Sequence, residues 1–369
     1  MRVAMVVGRS TGGIGLHVVD LTARLRELGD DVVVVTDDLT ADRFALDDAR
    51  RWWPARGNGV RGIVADLRRM HALARGSDVV HAHGHQAGLF AVLAGLGTGT
   101  PVVVSQHNAV PGGAGPRAAL SRIVQSVVAR RAALVTGASS DLVDVARHHG
   151  ATDARLAPVP SPRVPALLGT RPVAVAERRT RAATLLEAAG LPASGALVLT
   201  ISRIAPQKSL DVLVEAAAQV DEPVQWVVVG DGDERLLTDL RERARHLAAP
   251  AHFVGAVSDP TAWLEAAEVF VLPSRWEARA LVVQEAMAAG LPVVASDTGG
   301  LHDLVEGAGL LVDVGDTPGF AGAVDQVLAD PELRGRLSQQ GRDRAASWDD
   351  GLATARRWRE WYSALPGMT

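Results

Sequence analysis

The sequence predicts an α/β protein made of two doubly wound, Rossmann-like domains. Short valine-rich runs alternate with amphipathic stretches of helical periodicity, a pattern typical of parallel strands buried on both faces. The length of 369 residues favours two domains over one. The alternation breaks once, at residues 157–172, where five prolines occur without any period. We therefore expect two domains joined by a proline-rich linker.

The first domain is predicted to span residues 1–165. Its valine-rich runs predict strands at 3–7, 32–36, 79–82, 102–105 and 134–136. The amphipathic stretches between them predict helices at 16–28, 63–74, 89–96, 120–130 and 141–149.

The second domain is predicted to span residues 173–347. Its strands are expected at 197–202, 225–229, 252–254, 269–272, 293–295 and 310–312. Its helices are expected at 209–220, 234–248, 280–289 and 318–329. The carboxyl ends of both sheets should line a cleft between the domains.

The C-terminal segment 348–369 is predicted to be a helix that packs back on the first domain. It carries Trp348, Trp358 and Trp361 together with Tyr362, the only tyrosine in the chain. An aromatic helix of this kind is expected to be docked rather than solvated.

Composition excludes several classes of protein. The formal charge of -4 and the pI near 6.3 argue against a nucleic-acid binder, which would carry a basic excess. Without cysteine there is no disulfide, no thiolate metal site and no cysteine nucleophile, which fits a cytoplasmic protein. The first apolar run stops at Gly8, too short for a signal peptide or a membrane span. The abundance of Ala, Arg, Gly and Val suggests a GC-rich bacterial genome.

The first strand-to-helix turn is rich in glycine, at Gly12, Gly13 and Gly15. Glycines at a helix N-terminus let backbone N–H groups approach an anion. The spacing does not fit the dinucleotide fingerprint, and a tight connection alone would also explain it.

Lys208 is the only lysine among the 38 lysine and arginine residues. It follows Arg203 in the loop between a predicted strand and the next helix, a position that should face the cleft. Lysine is a compact point charge on a flexible stem, which suits a phosphate pocket. An accident of composition is the alternative. Together with Arg203, Lys208 predicts a diphosphate clamp.

Two glutamates, Glu277 and Glu285, flank the predicted start of a helix near Ala280. The N–H groups of Ala280, Leu281 and Val282 would suit a phosphate, and the carboxylates could accept hydrogen bonds from sugar hydroxyls. By themselves, two glutamates eight residues apart also fit a solvated helix face.

At this point the chain resembles the family 4 glycosyltransferases. The segments ISRIAPQKSLDVLVEAA, VVVGDGDER, HFVGAVSD and PSRWEARALVVQEAMAAGLPVVASDTGG are similar to successive motifs of that family. In the first domain, GGIGLHVVDLTARL, DVVHAHGHQAG and VVVSQHN extend the resemblance over nearly the whole chain. The family has the GT-B fold, in which two Rossmann-like domains face each other across a cleft.

The resemblance implies a retaining, metal-independent transfer of a hexose-type sugar. The donor would be a UDP- or GDP-linked sugar, the acceptor an unidentified small molecule, glycan or lipid, and no cofactor is needed. In the second domain, Arg203 and Lys208 would hold the donor diphosphate, Glu285 the ribose and Glu277 the donor sugar. Retention in this family is usually described as front-face attack, with the diphosphate assisting acceptor deprotonation.

In the first domain the resemblance implies three further roles. Gly12 and Gly13 would lie near the phosphate or the acceptor, and His107 near the sugar at the reaction centre.

The sequence departs from the family pattern at three places. Residues 277–280 read Glu-Ala-Arg-Ala where the family has Glu-Gly-Phe-Gly, so Arg279 is expected to change the pocket wall. The usual Gly-Gly-x-Pro-Glu stretch appears as Gly-Gly-Leu-His-Asp at 299–303, and the proline-rich linker replaces Pro-Asn-Gly. These departures bear on the identity of the donor sugar more than on donor binding. The altered stretch 277–280 also leaves open a catalytically impaired protein that binds sugar nucleotides, and a GT-B sugar-nucleotide epimerase is a further alternative.

Two motifs suggest metal binding, and in both cases a structural role is favoured. His81, His83 and His85 alternate and could share one face of a strand, but no carboxylate accompanies them. Asp231 and Asp233 form an Asp-x-Asp pair in a strand-to-helix turn, where aspartates cap helices.

The segment 117–131 has a regular apolar stripe at residues 120, 123, 124, 127 and 128, with arginines around it. A core-facing helix is favoured here. Peripheral membrane contact remains the alternative, because some members of the family act on lipid acceptors.

Overall fold

The computed structural model of the chain describes residues 1–10, 12–54, 59–109 and 115–367. The chain divides into two compact units, Met1–Pro162 with Asp349–Thr369, and Arg163–Trp348. Each unit holds one six-stranded parallel sheet with a buried apolar cluster on either face. The prediction of two Rossmann-like α/β domains is confirmed.

The first sheet follows the order β2-β1-β3-β4-β5-β6, with every neighbouring pair parallel. Its strands are β1 Arg2–Val7, β2 Asp31–Val35, β3 Val79–His83, β4 Val102–Gln106, β5 Leu134–Gly137 and β6 Ala154–Leu156. Its helices are α1 Gly13–Glu27, α2 Asp38–Arg43, α3 Gly59–Arg75, α4 His85–Gly95, α5 Pro116–Arg131 and α6 Ser140–His148. The chain reverses its winding direction between β1 and β3, and ligands of open α/β sheets bind beside such a switch point.

The second sheet follows the order β12-β11-β10-β7-β8-β9, again entirely parallel. Its strands are β7 Ala196–Ile201, β8 Val224–Val229, β9 Ala251–Gly255, β10 Val269–Leu272, β11 Val293–Ser296 and β12 Leu310–Val312. The helices of this unit are α7 Val164–Gly169, α8 Val175–Ala188, α9 Leu210–Ala217, α10 Glu234–His246, α11 Thr261–Ala266, α12 Leu281–Ala288, α13 Gly299–Val305, α14 Thr317–Ala329 and α15 Pro331–Ala346. Here the switch point lies between β7 and β10.

Aspartate side chains begin several of these helices. Asp37 accepts a hydrogen bond from the N–H of Thr40 at the start of α2, and Asp233, Asp316 and Asp330 do the same for α10, α14 and α15. Each cap satisfies N–H groups that have no partner within the helix and stabilises the helix by about 1 kcal/mol.

The proline-rich segment is partly helical, which corrects the prediction of an irregular linker. The second unit begins at Arg163 rather than at residue 173, because α7 packs Val164 and Leu167 into its core. The Arg342 guanidinium holds this segment by donating to the carbonyls of Leu168 and Thr170 at 2.5 and 2.6 Å. Arg342 is far away in sequence, so no local pattern could reveal the helix.

The C-terminal segment forms α16, Gly351–Ser363, shorter than the predicted 348–369, of which residues 368–369 lie outside the described residues. It belongs to the first unit and packs against α1. Trp358 and Tyr362 are buried in the same apolar cluster as the strands of the first sheet. The helix is therefore part of the first unit's core.

Helix α5 does not turn its whole apolar stripe to the core, contrary to the favoured interpretation. Val128 is buried and Val124 half-buried, but Leu120 and Ile123 are 62% and 60% exposed and Val127 is 39% exposed. Within the described ranges, no helix is both long and apolar enough to cross a bilayer.

Candidate active site

The loop after β7 carries the two cations that the sequence singled out. It is packed against the turn after β8: the Ile204 N–H donates to the Asp231 carbonyl at 2.7 Å, and the Asp233 N–H donates to the Ile204 carbonyl at 2.9 Å. Gly230 lies so close to this loop that an added Cβ would stand 1.9 Å from the Ser202 carbonyl oxygen, and its φ is +148°. Only glycine allows this approach, which fixes the base of the loop.

Lys208 ends a 3-10 turn, Pro206–Lys208, immediately before α9. Its Nζ lies 2.5 Å from Oε1 of Glu277, and each side chain is only about a tenth exposed, 12% and 11%. Glu277 follows β10, so the two residues meet where β7 and β10 adjoin at the switch point. Arg203, in the same loop, is exposed.

Further hydrogen bonds tie the two loops together. Gln207 donates from Nε2 to the Trp276 carbonyl at 2.6 Å, and the Arg275 N–H donates to the Gln207 carbonyl at 2.8 Å. The Arg275 Nε donates to Oγ of Ser209 at 3.2 Å. Ser209 has a φ of +46°, a conformation that non-glycine residues adopt only where surrounding contacts hold them. The geometry around Lys208 is therefore fixed before any ligand binds.

Ala280 begins α12 without a side-chain cap, so the first N–H groups of the helix, at Leu281 and Val282, have no partner within the helix. The carbonyl of Glu277, three residues before Ala280, accepts from the Gly300 N–H at 2.8 Å, which ties this loop to α13. A helix N-terminus with open N–H groups favours an anion. The N-terminus of α12 and the cations Arg203 and Lys208 could therefore attract the same anion.

Arg279, which is expected to change the wall of the donor pocket, is half-buried. Its guanidinium sits over the ring of Trp348, with 5.2 Å between the guanidinium carbon and the ring centroid. Burial lowers the pKa of Arg279 to about 10, while Asp303 acts in the opposite direction. Arg279 therefore anchors the Glu277–Ala280 loop.

Glu285 is buried within α12 and pairs with a residue that sequence reasoning did not single out. Its Oε2 lies 3.6 Å from Nη1 of Arg163, at the start of the second unit. The structure thus brings Lys208 and Glu277 into direct contact and places Glu285 farther along the helix, beside Arg163.

In the first unit, Gly12 caps α1 and Gly13 is its first residue. An added Cβ on Gly12 would meet no atom within 4 Å, so packing does not explain the glycine. The Gly15 N–H donates to Oγ of Ser10 at 2.9 Å, which ties the turn to the helix. The open N-terminus of α1 is compatible with a ligand that approaches the backbone.

His107 follows β4 and is buried among other imidazoles. Its Nε2 lies 3.0 Å from Nδ1 of His83, and the two ring planes lie within 10° of parallel, with their centroids 5.3 Å apart. The other nitrogen of His83 lies 2.9 Å from Sδ of Met5, and His17 packs edge-on against both rings. Burial lowers the pKa of His17 to about 4 and that of His107 to about 3, so both rings are neutral at pH 7.

His81 belongs to the same face of the sheet but has a different set of partners. Its Nδ1 lies 2.6 Å from the Tyr362 hydroxyl and its Nε2 lies 2.7 Å from Oγ of Ser105. Ser105 in turn bonds Oγ1 of Thr136 at 2.7 Å. Both ring nitrogens of His81 are thus satisfied inside the core, as for a structural histidine.

The three alternating histidines do not share a strand face. His85 lies on α4, and its Nε2 donates to the Asn108 carbonyl at 2.9 Å. In the Asp-x-Asp pair, Asp233 caps α10 by accepting from the N–H groups of Arg235 and Leu236. In the part of the chain that is described, no three His, Asp or Glu residues are arranged to hold a metal ion.

Met5, His17 and Tyr362 take part in the histidine network, although sequence reasoning gave them no site role. No spacing signal links them, since they come from β1, α1 and α16. An alternating His-x-His on a buried strand was the one available hint of a polar network, because unpaired buried imidazoles are costly.

Comparison with known proteins agrees with this architecture. The sequence model described as "Glycosyl transferase 4-like domain" matches residues 12–162, and that described as "Glycosyl transferases group 1" matches residues 195–330. The chain is similar to a D-inositol 3-phosphate glycosyltransferase of Xylanimonas cellulosilytica, with 33% identity over 75% of this chain and 70% of the relative. It is also similar to a phosphatidyl-myo-inositol mannosyltransferase of Mycolicibacterium smegmatis, with 29% identity over 96% and 92%. Relatives in such actinobacteria fit the GC-rich composition.

Among solved structures, Anabaena HepE superposes with a TM-score of 0.84 at 20% identity, over 99% of this chain and 100% of that one. That protein was crystallised with UDP and, separately, with UDP-glucose. The fold, the two matching domain models and the relatives together show that the chain belongs to the family 4 glycosyltransferases of the GT-B fold.

Proposed function

We propose that this glycosyltransferase moves a hexose-type sugar from a UDP- or GDP-linked donor to a hydroxyl group, with retention and without a metal ion. The observation that carries the proposal is the Lys208–Glu277 pair at the switch point of the second sheet. Arg203 lies on the same loop as Lys208, and the uncapped start of α12 follows Glu277 in the chain. Binding of UDP and UDP-glucose to the structurally similar HepE supports a nucleotide-sugar donor.

Each residue has a defined task in this reaction. Lys208 and Arg203 hold the diphosphate, and the N–H groups of Leu281 and Val282 add partial positive charge. Charge grows on the diphosphate as the sugar departs, and cations already in place stabilise it without reorganisation. We propose that these groups act on the diphosphate in place of a metal ion, with Lys208 also paired to Glu277.

Glu277, Glu285 and His107 would form hydrogen bonds with hydroxyl groups of the substrates. Glu277, held by Lys208, would accept from a hydroxyl of the donor sugar, and Glu285 from the ribose. His107, in the first unit, would face the sugar. Gly12 and Gly13 would let the backbone of α1 approach the diphosphate or the acceptor.

We propose that bond making and breaking occur on one face of the sugar. The bond from the anomeric carbon to the diphosphate oxygen breaks while the acceptor oxygen bonds to the same carbon. The acceptor proton passes to the departing diphosphate oxygen. Since the donor-side residues match those of a retaining family, the product should keep the donor's anomeric configuration.

A panel of UDP-, GDP- and ADP-sugars tests the donor. A donor that binds the folded protein raises its Tm by mass action. The cognate donor should then release a nucleoside diphosphate when an acceptor is supplied, and the new linkage should retain the donor configuration by NMR. Binding without turnover over a broad acceptor panel would favour the impaired binder, and an isomerised donor would favour the epimerase.

The acceptor proposed is a polyol in free or lipid-linked form. The relatives named above act on inositol 3-phosphate and phosphatidyl-myo-inositol, according to their names. Free inositol phosphates and phosphatidylinositol should therefore be the first acceptors assayed. Absence of transfer to either would exclude this acceptor class while leaving the donor assignment open.

We further propose that the protein acts in the cytoplasm and contacts an anionic membrane surface through α4 and α5. From residue 79 to residue 140 the chain contains no aspartate or glutamate. Exposed aliphatic side chains lie on this surface at Leu93, Leu96, Leu120, Ile123 and Val127. Four arginines accompany them, at Arg117, Arg122, Arg130 and Arg131. Apolar contact combined with positive charge suits anionic lipid.

Vesicle sedimentation tests this contact. The protein should bind phosphatidylglycerol vesicles at low salt, release at high salt and ignore phosphatidylcholine. The triple variant L120S/I123S/V127S should lose binding at least fivefold, whereas Leu247→Ser, at an exposed leucine of the second unit, should not. Equal binding by both variants, or none by the native chain, would remove the proposal.

A further inference from the structure

We propose that Met5 and His83 hold His107 in the tautomer protonated on Nε2, so that its Nδ1 accepts a hydrogen bond from a sugar hydroxyl. The role toward the sugar rests on the proposed transfer reaction. The tautomer rests only on contacts within the first unit. Met5 and His83 are therefore positioning residues, which act through His107.

The starting point is the sulfur atom of Met5, 2.9 Å from Nε2 of His83. A thioether sulfur has lone pairs and no hydrogen to donate. An unprotonated Nε2 would set its own lone pair against those of the sulfur, which is repulsive. A protonated Nε2 instead donates a hydrogen bond to the sulfur. His83 therefore carries its proton on Nε2, which leaves its Nδ1 as an acceptor.

The second step follows from the 3.0 Å separation between Nδ1 of His83 and Nε2 of His107. Since Nδ1 of His83 accepts, Nε2 of His107 must donate. A neutral imidazole has one proton, so Nδ1 of His107 is left bare. The environment supports neutrality, because burial lowers the pKa of His83 well below its ordinary value and that of His107 to about 3.

The backbone makes this chain of contacts rigid. Met5 lies on β1 and His83 on β3, which are adjacent parallel strands at the switch point of the first sheet. The carbonyl of Ser105, next to the end of β4, accepts from the Gly84 N–H at 2.8 Å and fixes the end of β3 beside β4. His17 packs against the rings of both His83 and His107. None of these rings can turn over without breaking a buried contact.

The bare Nδ1 forms no hydrogen bond with any residue in the described part of the chain. As an acceptor it can orient a hydroxyl group, which is both a donor and an acceptor. The opposite tautomer would present an N–H and would orient that hydroxyl the other way. A fixed acceptor therefore selects one hydroxyl orientation before the reaction, as pre-organised sites do.

The tautomer can be read directly by NMR. Protein labelled with ¹⁵N in the histidine rings gives long-range ¹H–¹⁵N spectra that separate protonated from bare ring nitrogens, and His107→Gln identifies the His107 signals among the 11 histidines. At pH 7.5, His107 should show a protonated Nε2 and a bare Nδ1. A proton on Nδ1, or on both nitrogens, would overturn the proposal.

Two substitutions test the positioning residues. Met5→Leu keeps the volume and removes the sulfur, so His107 should populate both tautomers. Met70→Leu, at another fully buried methionine, is the matched control and should leave the His107 spectrum unchanged. An unchanged spectrum in Met5→Leu would overturn the role of Met5.

His83→Leu removes the acceptor for His107. It should lower kcat of transfer at least tenfold, with the KM for the donor changed less than twofold, because the diphosphate is held by the second unit. Unchanged kcat would overturn the role toward the sugar. If the tautomer is found as stated but no donor is turned over, the proposed function fails and the tautomer assignment stands.

Discussion

The two units place opposite chemistry at the switch points of their sheets. The second unit gathers charge there, with Lys208 bonded to Glu277 and Arg203 exposed on the same loop as Lys208. The first unit gathers neutral imidazoles, with His83 and His107 buried and hydrogen bonded to each other. The charged groups lie on loops, where water still reaches them in part, and the neutral rings lie against the sheet.

This difference follows from the cost of burial. A charge removed from water must be paired, so the second unit pairs its lysine and keeps both partners near the surface. An imidazole can lose its proton and be buried neutral if its nitrogens find partners. We infer that the second unit provides charge for a diphosphate and the first provides oriented hydrogen bonds for hydroxyl groups. Three measurements would break or sharpen this contrast.

The largest expected effect is on stability and concerns the neutral imidazoles. Burial lowers the pKa of His17, His81, His83 and His107, so these rings stay neutral in the folded chain and take up protons only on unfolding. Their stabilisation is present above the unfolded-chain pKa of about 6.5 and is lost as pH falls below it. Below about pH 6.5, each of the four rings lowers the free energy of unfolding by about 1.4 kcal/mol per pH unit. The first unit should therefore lose about 5 kcal/mol of stability between pH 7.5 and 5.5.

Native-state hydrogen exchange, followed peptide by peptide, measures this loss in each sheet separately. Exchange from the first sheet should accelerate strongly at pH 5.5 after correction for the intrinsic rate. Exchange from the second sheet should accelerate by less than half as much. Burial also lowers the pKa of His252 in that sheet, but His252 is only partly buried. His17→Leu should reduce the pH dependence of the first sheet by about a quarter. Equal acceleration in both sheets would contradict the contrast.

The next effect is on turnover and concerns the cations. Lys208→Ala should lower kcat/KM for the donor at least tenfold, about 1.4 kcal/mol of transition-state stabilisation. Arg203→Ala should also lower kcat/KM for the donor. Arg245→Ala, at an exposed arginine on α10 of the same unit, is the control and should leave kinetics within twofold. Unaltered kinetics in Lys208→Ala would remove the diphosphate clamp.

Lys208→Arg is a finer version of the same test. Composition alone suggests that arginine is tolerated here, since Lys208 is the only lysine. The ammonium of Lys208 makes a partly buried contact with Glu277. A guanidinium is wider and planar, so an arginine here should push the Glu277 side chain out of this position. We expect a clear loss of turnover. The change in the free energy of unfolding should be smaller than the loss of transition-state stabilisation. Full activity would mean that the lone lysine is an accident of composition.

The smallest expected effect separates a helix cap from a metal ligand. Asp233→Ala should lower the free energy of unfolding by about 1 kcal/mol, because the side chain caps α10. Asp231→Ala should change stability by less than about 0.5 kcal/mol, as an exposed substitution without a capping role. Urea unfolding measures both. If instead both variants lost turnover equally and added divalent metal restored it, the Asp-x-Asp pair would be a metal site.

Much of the fold could be predicted because its signals are local. Valine-rich strands such as β10 were found with the observed bounds, since a buried strand is a continuous apolar run. No helix was predicted at α2, α7, α8, α11, α13 or α15, although α8 and α15 are 14 and 16 residues long. The helix α7 depends on Arg342 and on its burial in the second unit's core. The exposed face of α5 was also misjudged, because periodicity reveals a stripe without revealing what covers it.

The sequence by itself determined the two α/β series. It singled out Arg203 and Lys208 by their loop position, and Glu277 and Glu285 only once the resemblance to the family was added to their spacing. Only the tertiary structure decided which groups meet. Lys208 pairs with Glu277 because β7 and β10 adjoin at a switch point, and Met5 reaches His83 because β1 adjoins β3. Hydrophobic period is encoded within a few residues, whereas the partner of a buried polar group depends on strand order, and strand order is settled by the packing of the whole unit.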